Sequence, residues 1–251
     1  MKIINLNSKY DLSPAQVHYA YSVALHGDDS YPMDGESIVH LMDEIPIYLL
    51  QPDSMPEFGK FKGKKPSTEW LGFYQHQSSI HGVYTPSIGL CPERIAECVE
   101  TEWELMVLIA KVIIHEFAHA KMRLRSRSDY SPKDEFYEWM EESCANLITL
   151  NHFTNSSRAY YHRRNNNQVA HVETDLKPLD YVQDFISGQP DNYRLGLDLY
   201  KHRIWDGRWA ICKDKIQTRT NEKNAWLAYV KAKVGKTDPV ILEQLLDDLC
   251  K

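Results

Sequence analysis

Cysteine is scarce in this chain: five residues in 251, at 91, 98, 144, 212 and 250, an odd number with no CxxC pair. That excludes a disulfide framework and a zinc knuckle and leaves reduced thiols as the economical reading. Cys144, in an apolar stretch, reads as a small core residue rather than a nucleophile. Long hydrophobic runs are also missing. No segment approaches the roughly 20 apolar residues needed to span a bilayer, and "MKIINLNSKYDLSP" has no secretory apolar core. The expectation is a soluble, cytoplasmic protein with no membrane partner. A basic excess is absent too: 29 Lys and Arg against 35 Asp and Glu give a net charge of −6, so no general positive field recruits nucleic acid. No internal repeat is visible.

What remains is ordinary globular composition with clear helix punctuation. "SPAQVHYAYSVALHG" places Ser13 as N-cap, Pro14 at the first helical position and Gly27 at the end. A second helix is predicted within "DGESIVHLMDE", then a strand over residues 45–50, then an exposed Pro, Gly, Ser and Lys-rich loop. From Trp70 the runs "WLGFYQ", "IHGVYTP" and "SIGLCP" predict a small antiparallel sheet. "PERIAECVE" adds a helical turn. Thr101 with Glu104 forms a capping box, opening a central helix whose run from Leu105 to Ala120 is apolar on nearly every face apart from Lys111.

Ser131, Pro132 and Asp134 predict the start of another helix, running to about His152. The polar stretch from Thr154 to Val172 reads as a connection or active-site loop, and beyond Asp175 the chain turns helical again. The expected class is therefore α+β. A first domain spans residues 1–172 and a helical C-terminal subdomain spans 173–251, the two possibly continuous.

Inside the central helix stands "KVIIHEFAHAKM". Imidazoles and a carboxylate buried there cost several kcal/mol unless paired. Histidines at i and i+4 lie one turn apart on the same face, so His115 and His119 can hold one zinc ion, with Glu116 beside them to take a proton from a water on the metal. A catalytic zinc needs a third protein ligand. The metzincin pattern would have Gly at 122 and His at 125, but the chain has Met122 and Arg125, which excludes it.

The next helix offers Glu138, Glu141 and Glu142. Here the sequence resembles the gluzincin metallopeptidases, whose following helix completes the site as E-x-x-A-D or E-x-x-A-N; Glu142, Ala145 and Asn146 stand in that relation. The resemblance covers about residues 69–152 and is nearest to compact intracellular ImmA/IrrE-like peptidases. It implies a zincin-like fold, a small sheet on the HExxH helix and a second ligand helix. It also implies Glu142 as third ligand with Glu141 as its rival, close helix packing at Ala145, and Asn146 bonded to a ligating histidine.

The function so implied is zinc-dependent hydrolysis of peptide bonds in a protein or peptide substrate, with "HGVYTP" or "SIGLCP" lying along the cleft. Tyr160, Tyr161, His162 and His171 are candidates by type for stabilising the oxyanion, and His152 is either a helix-terminus cation or a site residue. The alternatives are a regulatory or binding module on the same scaffold and a purely stabilising metal site. The oligomeric state is open.

Overall fold

The computed structural model describes residues 1–27, 37–55, 70–80, 83–122, 135–166 and 178–201, with Leu227, Ala228 and Lys231 beyond them. For 77–80, 83–85, 136, 137 and 158–166 it describes the backbone alone. Apart from Leu227, Ala228 and Lys231, which are helical, the expected helices after residue 201 lie outside the described residues, as do the loop at 123–134, His171 and the side chains of Tyr160, Tyr161 and His162.

The architecture is α+β, mostly helical, with one four-stranded sheet. The order along the chain is β1 (Ile3–Asn5), α1 (Pro14–Gly27), α2 (Ile38–Glu44), β2 (Ile47–Leu49), a 3-10 turn (Pro52–Ser54), β3 (Gly72–Ile80) and β4 (Val83–Leu90). It continues with α3 (Pro92–Ala96), α4 (Glu102–Met122), α5 (Glu135–Asn166), α6 (Pro178–Ser187) and α7 (Asp191–Lys201). The predicted caps form. Gln16 N–H donates to Ser13 Oγ (3.3 Å) while Ser13 N–H donates to Gln16 Oε1 (2.8 Å), and Thr101 and Glu104 exchange the same pair of bonds at 3.2 and 2.9 Å.

The sheet corrects the antiparallel expectation. Its order is β1-β2-β4-β3, with β1, β2 and β4 parallel and β3 alone antiparallel to β4. "IHGVYTP" and "SIGLCP" belong largely to the single strand β4, and the tripeptide β1 was not anticipated. Parallel pairing requires a crossover, which α1 and α2 supply between β1 and β2. Pro86 is accommodated because Gln75 pairs with Ser87 but Ser78 with Thr85, so His76 and Gln77 together oppose the proline. The bulge falls where Pro86 cannot donate a ladder hydrogen bond.

Helix α4 is the hub. From Val107 to Ala120 every residue is buried. It packs against β3 and β4 on one side and α1, α2, α5 and α6 on others. One apolar cluster includes Leu12, Ile114 and Phe153 together with Val182, Leu195 and Leu227, so residues on both sides of position 172 share a core.

Helix α5 runs past the predicted end at His152 and on to Asn166, so most of the expected polar connection is helix. Its hydroxyls bond back along the helix, Thr149 to the Ala145 carbonyl (2.7 Å) and Thr154 to that of Leu150 (2.8 Å). Tertiary docking does the rest. Thr154 Oγ1 meets Tyr200 Oη at 2.6 Å, and Asn155 Nδ2 donates to the Gly27 carbonyl at 3.4 Å. His152 is therefore a mid-helix core residue. It is fully buried, its Nδ1 donates to the Ile148 carbonyl (2.9 Å), and its ring fills the space that Gly27 leaves.

Helix α7 crosses α5 at Gly196. A Cβ there would stand 2.5 Å from the Ser143 carbonyl oxygen and 2.8 Å from Asn146 Cβ. Alanine in a helix gains about 1 kcal/mol over glycine, whereas forcing packed backbones apart costs about 1–3 kcal/mol. Gly196→Ala is therefore expected to lower the urea midpoint of unfolding. A raised midpoint would mean the two helices are not in such close contact.

Candidate metal centre

The capping box starts α4, and four turns later its buried face carries His115 and His119, their rings 4.7 Å apart and near perpendicular. Helix α5 packs alongside and brings Glu142 to them. His115 Nε2 and His119 Nε2 are 3.1 Å apart, and Glu142 Oε2 is 3.2 Å from the first and 3.5 Å from the second. A tetrahedral ion with bonds of about 2.0–2.1 Å has ligand atoms about 3.3–3.4 Å apart, so the three atoms form one face of such a tetrahedron. Among the described residues this is the one group of His, Cys, Asp and Glu side chains whose ligand atoms converge, and it can hold a metal ion. Both histidine side chains are nearly sealed, while Glu142 is 16% exposed, so the face looks outward past the carboxylate.

Glu141 is not a member of the triangle. Adjacent helix positions point about 100° apart, and its Oε1 instead accepts from His119 Nδ1 at 3.1 Å. That bond fixes the tautomer, leaving the Nε2 lone pair for a cation. Glu138 is exposed at the helix surface.

Asn146, expected to bond a ligating histidine, donates its Nδ2 to the Tyr193 carbonyl (3.1 Å), and no hydrogen bond joins it to either histidine. Its Oδ1 and His115 Nδ1 are both buried without a partner, an acceptor and a potential donor. Ala145 is fully buried, but the close approach to α7 is made at Ser143 and Asn146.

The electrostatics favour a bound cation. Burial, aided by the nearby Lys111 charge, pushes His115 down to about 3, so the ring is neutral as a ligand must be. Burial also opposes charge on His119, but Glu142 and Glu141 outweigh it and raise that ring to about 10. Burial would raise Glu142, yet His119 and the bonds from both rings hold it well below the usual carboxylate range. Without metal, the triad thus keeps a proton that an incoming cation displaces.

Two further elements close the cleft. Strand β3 contributes Gly72, Phe73 and Tyr74, and Glu116 lines the opposite wall beside the ligands. Gly72 permits this approach, since a Cβ there would stand 2.8 Å from Val112 Cγ1 and 3.3 Å from Glu116 Cγ.

Tyr193 of α7 also lines the cleft. Its ring stacks on His115 (5.9 Å, 18°) and its hydroxyl bonds Glu142. Burial first, then Glu142 and Glu116, raise its phenol well above the ordinary value. Nothing in the sequence around Tyr193 pointed to this role. Its only local signal is Gly196 one turn on, which lets α7 sit close to α5.

Because Glu141 orients His119 without joining the three converging atoms, Glu141→Gln is expected to weaken the affinity for a metal ion about 10- to 100-fold and keep the one-to-one stoichiometry. Chelator competition measures this. Wild-type affinity in the variant would remove Glu141 from the site. Comparison with family models, with curated proteins and with solved structures finds no match for this chain, so its functional reading rests on the side chains described above.

Proposed function

We propose that the protein is a zinc-dependent metallopeptidase of the gluzincin type, with His115, His119 and Glu142 as ligands and Glu116 as general base. The observation that carries this reading is the triangle of ligand atoms, edged 3.1, 3.2 and 3.5 Å, with a non-ligating carboxylate on the same cleft wall. Zinc is the ion of choice because two imidazoles and one carboxylate are a familiar catalytic donor set for it, and when bound it polarises a carbonyl and makes water a nucleophile near neutral pH.

The protein's own groups account for the rest of the chemistry. Glu116, one position after a ligand and facing the cleft, accepts the proton of the attacking water and returns it to the leaving amine. The Tyr193 hydroxyl, kept protonated by its surroundings, is available to donate to the developing oxyanion. Among the described residues β3 is the outer strand of the sheet, and an extended peptide lying past Glu116 would run alongside it. This assigns the cleft to the "WLGFYQ" run rather than to the two runs expected from the sequence. Among the described residues no helix is long and apolar enough to cross a membrane.

Glu116→Gln is expected to bind zinc as the wild type does and to lower turnover of a susceptible peptide by about 10²–10⁴-fold. Tyr193→Phe should lower kcat by about 10²–10³-fold. Digestion of a peptide library read by mass spectrometry supplies the substrate and the rates. Full activity in Glu116→Gln would refute the mechanism.

A further inference from the structure

Lys111 is a buried ammonium in a position where leucine would be cheaper. Only 3% of it is exposed, and its helix neighbours from Val107 to Ile114 are all buried. Among the described residues it has no hydrogen-bond partner and no ion pair within 4 Å; its Nζ lies 5.6 Å from the centre of the Phe185 ring on α6. Cation–π attraction of that kind contributes about 2 kcal/mol when desolvated, less than the several kcal/mol that removing an ammonium from water costs. Stability therefore does not explain the residue.

Its location does. Lys111 precedes His115 by one turn on the same side of α4; burial lowers its pKa to about 8, Glu116 and Glu142 oppose that shift so that it stays mainly protonated at neutral pH, and its charge in turn disfavours a proton on His115. Glu116, Glu141 and Glu142 together carry a formal charge of −3, and Lys111 reduces this to −2. Among the described residues, a divalent cation brings this buried group of charges to neutrality. Without the ammonium, the loaded site would carry a net negative charge just where attack on a carbonyl creates another.

We propose that Lys111 is a positioning residue of the metal centre that acts through its charge, balancing the divalent ion and the three carboxylates so that the site tolerates a developing oxyanion. The proposal rests on the metallopeptidase reading. It predicts an effect opposite to that of a structural prop. A charge repelling the ion weakens metal binding, so its removal should tighten it. A residue needed only to shape the helix would loosen binding when replaced.

The test compares Lys111→Met and Lys111→Gln with the wild type by zinc competition against a chromogenic chelator, by thermal unfolding, and by peptide turnover. Both neutral variants should fold, bind zinc at least about tenfold tighter by Coulomb's law at an effective dielectric of about 20, and turn over at least about tenfold slower. Unchanged or weaker zinc affinity in a folded variant, or undiminished turnover, overturns the proposal. A wild type that binds no zinc would fail the parent reading instead. A wild type that binds zinc without cleaving would fail the hydrolase, while the affinity comparison still decides the charge balance.

Discussion

The meeting of Glu142 Oε2 with the two Nε2 atoms of α4 is the contact on which the rest of the structure depends. Three ionisable side chains are brought within 3.5 Å of one another at a place where burial penalises charge. Such a cluster is costly on its own. Its surroundings are built to keep it. Glu141 fixes one ring, Tyr193 covers the other and reaches the ligand carboxylate, and the apolar length of α4 leaves the histidines no alternative exposure. An ion that replaces the retained proton turns a hydrogen-bonded cluster into a coordinated one.

Two glycines set the geometry from outside. Gly72 lets the outer strand lie against the wall that holds Glu116, and Gly196 lets α7 settle on α5 so that Tyr193, one turn earlier, reaches His115. The cleft is thus a joint between the sheet edge and three helices from distant parts of the chain. In the proposed peptidase, the strand would hold an extended substrate while the helices supply ligands, base and oxyanion donor.

The parts of this arrangement legible in the sequence are those encoded locally. The Thr101–Glu104 box and the unbroken apolar run specify α4, and the i, i+4 histidines point the same way by helical geometry alone. Glu142 is legible through the resemblance to the gluzincin pattern that Glu142, Ala145 and Asn146 carry. What escaped depends on contacts between distant segments. The three-residue strand β1 has meaning only through its pairing with β2, and the helical stretch after His152 is polar and is held by Gly27 and Tyr200. Glu141 and Glu142 differ by a single position, and only the docked helix decides which oxygen faces Nδ1 and which faces Nε2. Tyr193 carries no motif of its own.

The most direct measurement of the central claim is the X-ray absorption spectrum of the zinc-loaded protein at the zinc edge. The account predicts a four-coordinate ion with two imidazole nitrogens and oxygen donors, all at about 2.0–2.2 Å. A spectrum with a sulfur neighbour at about 2.3 Å, or with fewer than two imidazoles, would contradict it.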